Sequence, residues 1–314
     1  MNIIEVCDVT KKYGDYTALD SIDISVRKGA IFGLLGPNGA GKTSLIRIIN
    51  QITAPDKGKI LFESEPLCQK HIKDIGYLPE ERGLYRKMKV GEQAIYLARL
   101  KGLPKNLVIQ RLKYWFDKFE ISSWWNKKVE ELSKGMQQKI QFIVTVIHEP
   151  KLFIFDEPFS GFDPINVNLL KNEMLELRNN GATIIFSTHN MNSVEELCDD
   201  IALINKSEKI LEGNIADIKN ANKENLFSVQ FTTATDVDLS VCLPADIEMK
   251  SMETIRNGII TACLKIPKNQ TANDLIKLLL SHVNLISFHE ILPNMNDIFI
   301  SYVNTIREQQ SIEN

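Results

Sequence analysis

Apolar positions recur along the chain in three different rhythms. Residues 2–8 and 20–26 alternate, with Ile22, Ile24 and Val26 on one face, as in strands that bury one side of a sheet. Three other stretches are unbroken: Ile31-Phe32-Gly33-Leu34-Leu35, Leu152-Phe153-Ile154-Phe155 and Thr183-Ile184-Ile185-Phe186-Ser187-Thr188. Such runs suit parallel strands covered on both faces. Between about 86 and 148 the rhythm is helical. Val108, Leu112, Trp115, Phe116 and Phe119 fall at i, i+4, i+7, i+8 and i+11, and Ile140, Ile143, Val144 and Ile147 form a second stripe. Alternating strands and helices predict an α/β core around a parallel sheet. An antiparallel β layer and an inserted helical subdomain would be added to it.

The pattern changes near Ile215-Ala216-Asp217-Ile218. Beyond it come strand candidates at Leu226–Phe231, Ile259–Leu264 and Leu285–Ile291, and a helix candidate at Ala272–Val283 carrying Leu275, Ile276, Leu279, Leu280 and Val283. Pro293-Asn294-Met295 opens a last helix. The expected organisation is therefore a first domain over 1–220, a small C-terminal α+β domain over 221–306 without a catalytic constellation, and a polar tail at 307–314. The tail is expected to be disordered.

The ends of the unbroken runs carry the chemistry. Gly36-Pro37-Asn38-Gly39-Ala40-Gly41-Lys42-Thr43 is a phosphate-binding loop between a buried strand and the helix candidate Ser44-Leu45-Ile46-Arg47-Ile48-Ile49. Its glycines let backbone N–H groups turn onto phosphates where a Cβ would collide. Lys42 adds a point charge for the β- and γ-phosphates, and the Thr43 hydroxyl suits Mg²⁺. The helix N-terminus faces the anion. A second run ends in Asp156-Glu157, at the carboxyl end of a strand, where open α/β sheets place their ligands. There Asp156 would hold Mg²⁺ through water, and Glu157 would polarise an attacking water as general base. His189 stands just past the third run, placed to act in catalysis. Ser133 precedes the second helical stripe and is read as a helix N-cap aimed at an anion.

In this order the motifs resemble the nucleotide-binding subunit of an ABC transporter over about residues 1–220. The resemblance implies an ABC-type P-loop ATPase that binds ATP and Mg²⁺. Its Walker A residues would be Gly36, Pro37, Asn38, Gly39, Ala40, Gly41, Lys42 and Thr43, with Ser44 following them in the nucleotide site. It implies a Walker B strand at Leu152–Asp156, catalytic Glu157, a switch histidine at His189 and a D-loop aspartate at Asp163. Tyr13 matches the family's adenine-stacking aromatic; read without the family it is a surface loop aromatic. Two motifs depart from the family, one at Lys134 and Met136 and the other at Glu80. Leu132-Ser133-Lys134-Gly135-Met136 stands where the family usually has Leu-Ser-Gly-Gly-Gln, retaining Ser133 and Gly135 for the γ-phosphate. Glu80 stands where glutamine is usual. A glutamate still ligates Mg²⁺, with Thr43 and Asp156, but brings another negative charge to the phosphates. The residues around Glu80 resemble ATPase subunits of bacterial sodium-efflux and drug-resistance exporters.

Composition narrows the partners. A formal net charge of −3 gives no global attraction to nucleic acid. No apolar run reaches the roughly 18–20 residues that cross a bilayer. Met1-Asn2-Ile3-Ile4-Glu5 lacks a signal-peptide pattern, and the five dispersed cysteines suit reduced thiols. Together with the resemblance, these readings imply a cytoplasmic protein, peripheral on the inner face of the membrane and driving a separate transmembrane permease. In the family it resembles, the signature completes the site of the opposite subunit, so one motif set implies half of each of two composite sites and a homodimer or heterodimer of ATPase subunits. Trp124 and Trp125, adjacent on a loop, are read as a partner surface. A soluble repair or translation ATPase and a regulatory subunit that binds ATP without hydrolysis are the alternatives. Against the first stand a single cassette and no heptad run between Walker A and the signature.

Overall fold

A computed structural model describes residues 1–81, 83–232, 242–255 and 258–312, those after 304 in backbone only. Arg82, next to the Glu80 segment, lies outside the described residues. The chain divides into two compact units, Met1–Ile215 and Ala216–Asn314. The division falls at the change of pattern and a few residues before the expected 220.

A six-stranded sheet runs through the first unit in the order Glu208–Asn214, Asp200–Asn205, Ile31–Leu35, Thr183–Thr188, Leu152–Asp156, Ile75–Leu78. All neighbours are parallel except the Glu208–Asn214 edge strand. The three unbroken runs are its centre, and every residue in them is buried. Register decides what this sheet presents. Leu35 pairs with Thr188, Asp156 with Ser187 and Leu78 with Phe155, so these strands finish level with one another. The residues that follow them, Gly36, Glu157, His189 and Glu80, consequently emerge along one edge.

The alternating segments form Asn2–Tyr13 and Tyr16–Arg27, which pair antiparallel in a second sheet with Lys57–Phe62 and Glu65–Pro66. Ile4, Ile22 and Ile24 from that sheet share one core cluster with Leu45 and Ile46 of the Lys42–Ile49 helix and with Ile154 and Ile185 of the central strands. A second cluster joins the central sheet to the helical insert, built from Val90–Leu100, Lys105–Lys118 and Lys134–Val146. Val108, Leu112, Phe116 and Phe119 are buried in it, and Phe142 meets Phe155 with ring centroids 5.6 Å apart.

Trp124 and Trp125 are not the exposed pair expected. Both are half-buried and packed against the helical cluster. The Trp125 ring lies 5.3 Å from Phe116, and it covers Gly91 so closely that a Cβ there would fall 2.4 Å from it. A glycine in the neighbouring helix makes the socket that lets one of two adjacent tryptophans turn inward.

The second unit is α+β, as its pattern predicts. Four antiparallel strands lie in the order Glu248–Thr254, Ile260–Lys265, Leu226–Thr232, Asn284–Ile291. Leu275 and Leu279 of the Ala272–Leu280 helix are buried with Phe227, Val229 and Phe231. Thr271 caps that helix by accepting from the Asp274 N–H. The last helix runs from Met295 to Ile312, so residues 307–312 are helical where disorder was expected. Glu313 and Asn314 lie outside the described residues.

Candidate nucleotide site

The phosphate loop is shaped first by the protein's own backbone. At Gly36 (φ 146°) a Cβ would lie 2.1 Å from the Ile204 carbonyl, and at Gly41 (φ 115°) it would lie 2.3 Å from that of Ala18. No other residue fits either place. Ala40 is buried and its N–H reaches the Pro37 carbonyl at 3.2 Å. The loop then enters the Lys42–Ile49 helix, which leaves the N–H groups of its first turn without helical acceptors.

Lys42 folds back over this loop. Its Nζ donates to Gly36 O at 2.7 Å and to Pro37 O at 3.1 Å, which leaves the third of its donors uncommitted. Burial lowers its pKa, while the nearby carboxylates of Glu157, Asp156 and Glu80 oppose that shift. Asp156 is buried, and the Thr43 hydroxyl donates to its Oδ2 at 3.5 Å. Burial raises the Asp156 pKa, Glu80 and Glu157 add to the rise, and Lys42 counters it.

Glu157 follows with a left-handed backbone (φ 46°), its N–H held by Ser187 O at 3.0 Å. This conformation is costly for a residue with a side chain, and such strain gathers at functional sites. Here it accompanies a carboxylate that meets the Nδ1 of His189 at 2.7 Å and the Thr188 hydroxyl at 3.4 Å.

Two cavities adjoin at these groups. One, of 270 Å³, is bordered by Asn38, Gly39, Gly41, Lys42, Thr43, Ser44, Glu80, Asp156 and Glu157, together with Tyr16 and Ala18. The other, of 370 Å³, shares Asn38, Glu80 and Glu157 and adds His189, Thr188 and Ser160. The structure therefore brings together the phosphate loop, all three carboxylates and His189. It leaves four predicted residues outside. Ser133 caps the Lys134–Val146 helix, accepting from Met136 N at 3.3 Å, and is exposed. Gly135 has room for a methyl group, its nearest neighbours being 3.8 Å from an added Cβ. Asp163 caps the Pro164–Asn179 helix, accepting from Asn166 N at 3.0 Å. Tyr13 sits at a hairpin tip opposite Tyr16, with the Lys11 ammonium 5.5 Å from its ring.

Tyr16 was missed from sequence. Its hydroxyl donates to Gly39 O at 2.8 Å and so braces the tip of the phosphate loop. The only hint was its position one turn beyond Tyr13, on the strand that continues to Ala18.

The residues present fit Mg²⁺. Among the described residues, three carboxylates face one ammonium in the same small space, an imbalance that a divalent cation relieves. Among the described residues no three His, Cys, Asp or Glu side chains form an all-protein metal cage. Mg²⁺ ordinarily takes one or two carboxylates and completes its shell with phosphates and water.

The Glu80 segment also borders a groove of 710 Å³ lined by Ile72, Tyr77, Pro79, Leu84, Leu100 and Gln141, among others. Among the described residues no helix is long and apolar enough to cross a membrane.

Comparison with known proteins places these motifs in context. Residues 19–160 match the ABC transporter family, and residues 213–303 match the C-terminal domain of DrrA1-3-like ATP-binding proteins. The uncharacterized ABC transporter ATP-binding protein YhaQ of Bacillus subtilis is 41% identical over 307 residues, spanning 98% of this chain and 100% of that one. The Nod factor export ATP-binding protein I of Rhizobium etli is 34% identical over 221 residues, 69% of this chain and 70% of its own length. A solved ATP-binding subunit of an ABC transporter superposes with a TM-score of 0.65 at 29% identity, covering 70% of this chain and 92% of that one.

Proposed function

The chain belongs to the ABC transporter family as an ATP-binding subunit with ATPase activity, and from that premise we propose that two such subunits close around two MgATP to drive export through a separate membrane-spanning chain. The observation that carries this reading is a division of labour. Lys42, Thr43, Asp156, Glu157, Glu80 and His189 line two adjoining cavities, while Ser133 is exposed elsewhere and Gly135, next but one to it, borders neither cavity. The five relatives and matches above are transporter proteins or domains of ATP-binding proteins, which leaves the repair or translation reading without support.

In this reading the phosphates of ATP rest on the N–H groups that open the Lys42–Ile49 helix, where the dipole favours an anion. The third Lys42 donor meets the β- and γ-phosphates. Thr43, Asp156 and Glu80 are the residues that would hold Mg²⁺, which when bound neutralises charge on those phosphates. Glu157 orients the attacking water and accepts its proton. His189 donates through Nδ1 to Glu157, which holds the carboxylate in place as the base.

Ser133 and Gly135 of one subunit cap the γ-phosphate bound by Lys42 of the other. A two-fold axis satisfies both sites at once. ATP then bridges the subunits, and hydrolysis removes the bridge. Export as the direction is supported by the Nod factor export relative. The groove beside Glu80, rather than the packed tryptophans, is the surface we assign to the membrane-spanning partner, and a position on the cytoplasmic face goes with this reading. The five cysteines are free, as suits that compartment. ATP turnover by the purified chain, lost in Glu157→Gln with nucleotide binding retained, tests the catalytic assignment.

A further inference from the structure

The helix capped by Ser133 hides a polar stripe. Gln138, Gln141 and Thr145 fall at i, i+3 and i+7 of Lys134–Val146, and all three are buried. Ile140, Ile143 and Ile147 already give this helix an apolar stripe for the core. Burying two amides beside it costs free energy unless they are used. Their partners are backbone carbonyls around the catalytic carboxylates. Gln138 Nε2 donates to Pro158 O at 3.3 Å, directly after Glu157. Gln141 Nε2 donates to Pro79 O at 3.2 Å and Glu81 O at 3.4 Å, one on either side of Glu80. Thr145 Oγ1 donates to Gln141 O at 2.8 Å and lies 3.4 Å from Tyr77 O in the strand that leads to Glu80. Helix and strand touch closely there, since a Cβ on Gly76 would lie 2.8 Å from Thr145 O.

A core network retained for stability alone would be expected to satisfy its own members. Gln141 does not, because its Oε1 is buried without a partner among the described residues. Its amide is spent on the loop and leaves its own oxygen short. We propose that Gln141, assisted by Gln138 and Thr145, is a positioning residue that sets Glu80 and Glu157 from the signature helix. The same helix begins at Ser133. A phosphate engaged there by the second subunit is thereby sensed at the carboxylates of this subunit's own site, through one rigid element and four carbonyls.

This inference rests on the reading that Glu80 holds the metal. The test uses ATP-loaded protein in the non-hydrolysing Glu157→Gln background, with Mn²⁺ as the probe and free Mn²⁺ read by electron paramagnetic resonance. Gln141→Met keeps the length of the side chain and removes the donor. It is expected to weaken Mn²⁺ binding about three- to tenfold, the span that loss of one or two hydrogen bonds gives. In a Glu80→Gln background the same substitution should add nothing. A Gln141→Met protein with unchanged Mn²⁺ affinity and only a lowered melting temperature overturns the proposal. So does an equal loss in both backgrounds. If Glu80→Gln alone leaves Mn²⁺ affinity unchanged, the metal assignment of Glu80 fails first and the proposal falls with it. Should Gln141→Met not fold, Thr145→Val preserves shape, and the same weakening confined to the Glu80 background is expected.

Discussion

His189 Nδ1 lies 2.7 Å from Glu157 Oε1, although the two residues are separated by a whole helix and strand in the chain. Parallel register makes the meeting possible, since Asp156 and Ser187 are paired and each candidate residue follows closely. The left-handed turn at Glu157 then accompanies their contact. His189→Ala removes the group that orients the base and leaves the phosphate loop intact. Turnover should fall by about 10²- to 10⁴-fold, the range for a positioned acid–base group, with ATP affinity within about twofold of the parent. Equal losses in binding and turnover would mean that His189 acts on nucleotide binding instead.

Among the described residues, Lys42 is the one ammonium among three carboxylates in its cavity. Lys42→Ala takes away a charged donor worth about 1.5–3 kcal/mol, so ATP should bind about ten- to a hundredfold more weakly. Equilibrium binding of a fluorescent ATP analogue measures it. Parental affinity in the variant would contradict the phosphate-loop assignment.

His148 supplies a pH dependence of stability. It is mostly buried and its Nε2 lies 3.4 Å from Ile75 O. Burial and the nearby Lys101 and Arg111 charges bring its pKa down to about 4, against the pull of the Ile75 carbonyl. The unfolded chain takes up this proton below about 6.5, before the folded one does. Stability present above that pH is therefore lost as the pH falls towards 4, about 2 kcal/mol of it by pH 4.5. Urea unfolding at pH 7 and pH 4.5 should show this loss in the parent and a smaller one in His148→Gln. Equal losses in both proteins would remove His148 from the account.

Gly91 sets two effects against each other. Alanine improves helix propensity by about 1 kcal/mol, but its Cβ would fall 2.4 Å from the Trp125 ring. Overpacking of this kind costs about 1–3 kcal/mol, and displacing a ring wedged against Phe116 belongs at the upper end. Gly91→Ala should lower the melting temperature. A rise would show that Trp125 moves aside freely and that its burial matters little.

Periodic elements were legible in the sequence, and elements set by long-range contact were not. The central strands read directly because both faces are buried, and the Val108–Phe119 stripe because one helix face is. The Glu248–Thr254 strand was missed. It is a sheet edge whose residues are nearly all exposed, so it carries no apolar rhythm. Trp125 was misjudged because its socket, Gly91, lies in another helix. Among site residues, those in the phosphate loop and at strand ends were readable because local backbone places them. Tyr16 reaches the loop through tertiary pairing alone, and the buried stripe of Gln138 and Gln141 looked like an ordinary polar helix face.

The central claim is that ATP joins two copies of this site. Glu157→Gln keeps the shape of the side chain and removes the base, so bound ATP should persist. Size-exclusion chromatography with light scattering, on Glu157→Gln protein with and without MgATP, measures the outcome. A shift from monomer to dimer mass on adding MgATP, abolished when Lys42→Ala is combined with it, is the result expected. A Glu157→Gln protein that binds MgATP and stays monomeric, at concentrations where dimers are resolved, would contradict the composite site.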